Sequence, residues 1–217
     1  DGDEPVGTFA SGDGALDQAV AGLLELRDTL GVAGYDPAAH GSGFDRVSAF
    51  QDGFEHGAEA CATYADEPPT VVAIPFGSVN DQMSGGNLPR ERLLEPLTLD
   101  LESFFSTLVA EQGHRWQRVR DLRLVDPADG PVRCGRTEVP VDELELGSFY
   151  CASTRTAYMD GADLVPELEQ IGDFAFAGEL ARLYAFAAQD RLGIDADDAV
   201  EEGLHADCLT GVYTAAE

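Results

Sequence analysis

Between Phe149 and Ala216 the chain reads strand, strand, helix, helix, and no other stretch constrains the fold as much. Phe149-Tyr150-Cys151 and Thr156-Ala157-Tyr158-Met159-Asp160 are short apolar and aromatic runs of strand length, whereas Asp173 to Gly193 and Asp198 to Ala215 are long enough to be helices. Upstream, Leu93, Leu94, Leu97, Leu101, Phe104, Phe105 and Leu108 give the helix Arg90 to Gln112 a broad apolar face suited to backing a sheet. Asn87 is a candidate N-cap for that helix, with Pro89 near its first turn. Strands then follow over Trp116 to Val125 and in a cysteine-bearing hairpin, with Asp126-Pro127-Ala128-Asp129-Gly130 a strong turn. The pattern predicts an α+β fold: a small, mainly antiparallel sheet backed by several long helices.

Residues 1–65 predict a two-helix segment. Gly14 to Leu30 carries Leu16, Val20, Leu23, Leu24 and Leu26 near helical period, and Phe44 to Tyr64 carries the stripe Phe44, Val47, Phe50 and Phe54, expected to pack a core. Gly31 stops the first helix, and Asp36-Pro37 with His40-Gly41-Ser42-Gly43 starts the second. Ala65-Asp66-Glu67-Pro68-Pro69 reads as a linker to residues 66–217, because its prolines block helix continuation. Val71 to Phe76 reads as a short strand or an extended run. Residues 1–65 and 66–217 are expected to pack as one domain.

The formal charge of −28 is extreme, and all 13 basic residues are arginine. That balance excludes electrostatic binding to nucleic acid or to an anionic membrane surface, since both carry the protein's own sign. Salt adaptation and a codon bias away from lysine explain the composition equally well. Six arginines, Arg115, Arg118, Arg120, Arg123, Arg133 and Arg136, fall within 22 residues, where alternation with apolar residues predicts the wet face of an edge strand. No apolar run is long enough to span a membrane. No leader is visible at Asp1, which says little about export because the chain reads as a trimmed polypeptide.

Four widely spaced cysteines without a Cys-x-x-Cys pair disfavour a zinc knuckle or a thioredoxin-type site and favour disulfides, with buried free thiols as the alternative. Cys134 and Cys151 flank strands of the same small sheet and form one plausible pair. Bridges would imply an oxidising compartment and an exported protein.

Other chemistry is weakly signalled. Ser84-Gly85-Gly86-Asn87 precedes a helix but lacks the Lys and Ser/Thr of a phosphate-binding loop. His40 and Ser42 lie close together but are explained by a helix start, and His56 and His114 are expected at the surface. With 41 acidic residues, accidental carboxylate pairs are guaranteed and carry no information about glycoside chemistry.

The strand–strand–helix–helix run, with Phe149-Tyr150-Cys151 and Ala206-Asp207-Cys208-Leu209-Thr210-Gly211, resembles the neutral zinc metallopeptidase family, which shows a Phe-Tyr-Cys hairpin, a His-Glu-x-x-His helix and an Ala-Asp-Cys-x-x-Gly helix carrying a Glu ligand. Two histidines four apart share one helical face, with the glutamate beside them as general base. When Gln189 and Leu192-Gly193 are matched to the end of the family's helix, those five positions hold Arg182, Leu183, Tyr184, Ala185 and Phe186. The third-ligand position, four residues before Asp207, holds Gly203. Glu202 is its neighbour, but one residue is a rotation of about 100 degrees. Arg182 brings a permanent cation that would repel a divalent metal and could pair with nearby acids.

The resemblance therefore implies a zincin-like fold without zinc, other cofactor or catalytic residues: a pseudopeptidase kept as an extracellular or cell-surface binding or structural module, with an unknown protein or peptide partner or self-assembly. A relocated metal set of Glu201, His205 and Asp207 is the alternative at that site. The family's closing landmarks stand at the front of this chain, as His40-Gly41, Arg46, Phe50, Gly53-Phe54, Gly57 and Cys61. Such an order implies either a circularly permuted domain or a slice of a tandem protein, whose other copy would be an active peptidase. The resemblance also implies a Cys61–Cys208 bridge.

Overall fold

In the computed structural model, which describes residues 14–32, 39–72, 75–144 and 147–216, the chain divides into two units, residues 1–86 and 87–217. The division falls after, not at, the proline-marked linker. A bond explains the difference: the Val72 N–H donates to Asp45 Oδ1 at 3.0 Å, tying the segment beyond the linker to the helices before it. Asp36-Pro37 and the centre of the expected Val71 to Phe76 strand lie outside the described residues.

The first unit holds α1 (Ala15–Leu24), α2 (Gly43–His56), α3 (Ala58–Thr63) and α4 (Val79–Met83). Helix α1 ends six residues before the expected Leu30, and Asp28 beyond it joins the start of α2, accepting from the N–H groups of His40 at 2.8 Å and Gly41 at 2.7 Å. Burial would push the Asp28 carboxyl up, but these bonds and the adjacent His40 hold it below its ordinary value. Ser42 caps α2: its hydroxyl accepts from the Asp45 N–H at 3.2 Å, and Asp45 accepts from the Ser42 N–H at 2.8 Å. The single helix expected over Phe44 to Tyr64 is two helices, because Gly57 adopts φ +76°, a conformation no helix continues through. Its aromatic stripe is not a core, since Phe44 and Phe54 are 74% and 68% exposed.

The second unit runs α5 (Arg90–Glu111), β1 (Asp121–Val125), a 3-10 turn at Pro127–Asp129, β2 (Val132–Cys134), β3 (Thr137–Val139), α6 (Val141–Leu144), β4 (Ser148–Cys151), β5 (Thr156–Asp160), α7 (Leu164–Ile171), α8 (Asp173–Leu192) and α9 (Ala199–Ala216). Leu97, Leu101, Phe105 and Val109 of α5 recur every four residues, and all four are buried. The α+β class holds, with nine α-helices and two small sheets among the described residues. The larger sheet has the order β1-β5-β4. Its β4–β5 pair is antiparallel, as is the β2–β3 hairpin, but β1 runs parallel to β5 in the register Asp121↔Thr156. The expected strand from Trp116 shortens to five residues, the length of β5, its only partner among the described residues. Every residue of β5 is buried, as a central strand requires.

Helix α8 is apolar almost all round, with Phe176, Leu180, Leu183 and Tyr184 buried among Phe105 of α5, Met159 of β5 and Tyr213 of α9. It is the central post of this unit. Asn87 does not cap α5, whose preceding residue, Pro89, makes no side-chain cap. It caps α8 instead: Asn87 Oδ1 accepts from the Asp173 N–H at 3.1 Å, and Asp173 Oδ2 accepts from the Leu88 N–H at 2.7 Å. Cys134 and Cys151 form a disulfide, joining the hairpin to β4. Cys61 and Cys208 are exposed free thiols, so the second bridge is not among the bonds of the structure. Among the described residues no helix is long and apolar enough to cross a membrane.

Candidate functional site

Strand β4 is an edge of its sheet, and a groove of about 470 Å³ runs along it. Ser148, Phe149, Tyr150 and Ala152 form one wall, Arg182, Phe186, Gln189 and Asp190 of α8 the floor, and Gly193 to Asp195 with Glu202 of α9 the far rim. Helix α8 ends at this groove, where Gly193 takes φ +67° as its left-handed C-cap.

Two of the positions singled out in the sequence, Arg182 and Phe186, line this groove. Arg182 and Phe186, four residues apart, share one face of α8, and the guanidinium carbon of Arg182 lies 5.0 Å from the Phe186 ring centroid. Gly203 of α9 lies against Arg182, since a Cβ built there would stand 3.5 Å from Arg182 Nη2. Leu183, Tyr184 and Ala185 point away into the core and are 0%, 2% and 0% exposed. Helical period alone sorts the five residues, two toward the groove and three into the core.

Arg182 is neutralised in place. Its Nε donates to Asp207 Oδ1 at 2.8 Å, and Nη1 lies 3.6 Å from Glu179 Oε1. Glu179 in turn accepts from the Ser148 hydroxyl on β4. A polar chain therefore crosses the groove from edge strand to last helix, through Ser148, Glu179, Arg182 and Asp207. Sequence reasoning missed Ser148 and Glu179, which lie outside the five matched positions. Their only signal is a glutamate one turn before Arg182 in the largely apolar stretch Phe174 to Ala188.

Nothing in this donor set suits zinc, because a guanidinium, a phenyl ring and a hydrogen atom occupy the matched positions. The alternative set is not drawn together either: Glu201 accepts from the Asp197 N–H at 2.8 Å, Asp207 is held by Arg182, and no cluster of three ligand-type residues exists among the described residues.

Gln189 was noticed in the sequence only as a landmark. It is 3% exposed, its Nε2 donates to the Glu202 carbonyl at 3.2 Å, and its Oε1 is buried without a hydrogen-bond partner among the described residues. Such an acceptor carries a desolvation cost until a donor reaches it, on the order of 1–3 kcal/mol.

Comparison with protein-family models, with curated proteins and with solved structures finds no match for this chain.

Proposed function

We propose that this chain is a catalytically silent relative of the neutral zinc metallopeptidases, and that its groove holds an extended peptide against the edge of β4. The observation that carries the proposal is that positions 182 and 186 line one groove beside an edge strand, with position 203 against Arg182. In the family these three places supply two imidazoles and a carboxylate. Here they supply none, so neither a hydrolytic metal nor a general base has a place. An edge strand binds peptides by strand addition, with main-chain hydrogen bonds supplying affinity. The Cys134–Cys151 disulfide supports an exported, oxidising location, and the charge of −28 favours a cationic or apolar partner over nucleic acid or anionic lipid.

Two measurements test this. The purified protein is expected to carry no stoichiometric zinc and to leave casein uncut; one zinc per chain by elemental analysis overturns the proposal. The triple variant Arg182→His, Phe186→His, Gly203→Glu restores the ligand set and is expected to bind one zinc. A variant that folds, by circular dichroism, yet takes up no zinc removes the geometric basis of the kinship.

A second reading rests on the two-unit division. Residues 1–65, within the first unit, resemble the family's C-terminal part and residues 66–217 its front part, as in a slice across two tandem copies. The chain would then be the regulatory or stabilising part of a longer protein. A His-Glu-x-x-His helix encoded upstream of Asp1 supports this reading, and its absence there removes it.

A further inference from the structure

The peptide groove also has a chemical preference. We propose that it selects an extended peptide carrying an arginine side chain, whose guanidinium is received by Gln189 Oε1 together with the carboxylates of Asp195 and Glu202. This rests on the strand-addition reading above and goes beyond it by naming the side chain.

The edge of β4 fixes where a peptide would lie. The Asp160 N–H donates to the Gly147 carbonyl at 2.6 Å, so Gly147 faces β5, and by alternation Phe149 and Cys151 do as well. The N–H and C=O groups of Ser148 and Tyr150 therefore point outward, along the groove.

The groove's charges are unevenly matched. Arg182 is its one cation and is already paired with Asp207 and Glu179. Asp190 is paired with Arg191. Asp195 and Glu202, both exposed on the rim, form no ion pair among the described residues. Carboxylates accept and do not donate, and so does the Gln189 oxygen. Its orientation is set, because the Nε2 end of the amide is held by the Glu202 carbonyl. The unanswered side-chain acceptors of the groove are thus net negative, which calls for a cationic donor. A guanidinium offers five N–H groups in a plane and serves an amide oxygen and carboxylates at once, whereas an ammonium is a more strongly hydrated point charge.

The test uses the whole chain and end-blocked synthetic hexapeptides of threonine and valine with one central arginine, or with citrulline, its uncharged isostere. Isothermal titration is expected to show the arginine peptide binding about tenfold tighter, the scale of one charge-assisted bond. The surface variant Asp195→Asn with Glu202→Gln should reduce that preference to below about threefold while leaving citrulline-peptide affinity unchanged. Gln189→Leu should reduce it further. Tyr150→Pro, which removes an outward N–H, should weaken both peptides alike. Equal binding of the arginine and citrulline peptides overturns this inference and leaves strand addition standing. Binding of neither peptide overturns the peptide groove itself, and the arginine preference with it.

Discussion

Tyr184 shows how a residue on a matched motif takes its character from surroundings the motif does not contain. It is 2% exposed, with its ring 6.0 Å from Phe105 and 6.3 Å from Trp116. Burial first, and then the neighbouring Glu102 carboxylate, push its hydroxyl far above the usual tyrosine range. The sign of the effect on stability follows. The unfolded chain releases the tyrosine proton from about pH 10, whereas the folded chain keeps it, so stability is full below that pH and falls as pH rises beyond it. Relative to Tyr184→Phe, the wild type is expected to lose about 1.4 kcal/mol of unfolding free energy per pH unit above pH 10. Denaturant titrations between pH 9 and 11.5 check this, and parallel curves would count against it. Glu102 also accepts from Trp116 Nε1 at 2.8 Å and the Val119 N–H at 2.9 Å, so one carboxylate ties α5 to the segment leading into β1.

At the scale of elements, type was legible, and several lengths and boundaries were not. Helices α5, α8 and α9 and strands β4 and β5 lie where apolar spacing puts them, because each buries a face whose period can be counted in the sequence. Asn87 misled because a capping residue serves whichever helix start reaches it in space, and α8 reaches it from 86 residues away. The parallel β1–β5 pair also escaped, since alternation along a strand does not encode the direction of its neighbour. Two predictions belong here. Removing the capping hydroxyl with Ser42→Ala should destabilise α2 by about 1 kcal/mol, read as faster hydrogen exchange over its first turn. Replacing Cys134 and Cys151 together by serine should cost roughly 3 kcal/mol, the scale for a closed loop of this size, and denaturant midpoints of the two proteins would show it.

For the whole molecule the dominant quantity is charge. With 41 acidic residues against 13 arginines, self-repulsion opposes the folded state, and salt shortens the reach of that repulsion from about 10 Å at 0.1 M to about 3 Å at 1 M. The thermal midpoint is therefore expected to rise with sodium chloride over this range; a flat or falling curve would show that repulsion is not limiting. Composition and period, both local properties, determined by themselves the α+β class, the position of the long helices and the excess of acidic side chains. Only the tertiary structure decided that Arg182 and Phe186 line one groove, that Gln189 is left with an unanswered oxygen, that the first aromatic stripe stays exposed, and that the chain divides beyond its prolines. The physical reason is that each of these depends on which surfaces meet across long stretches of chain, and a periodic pattern names the face to be covered without naming what covers it.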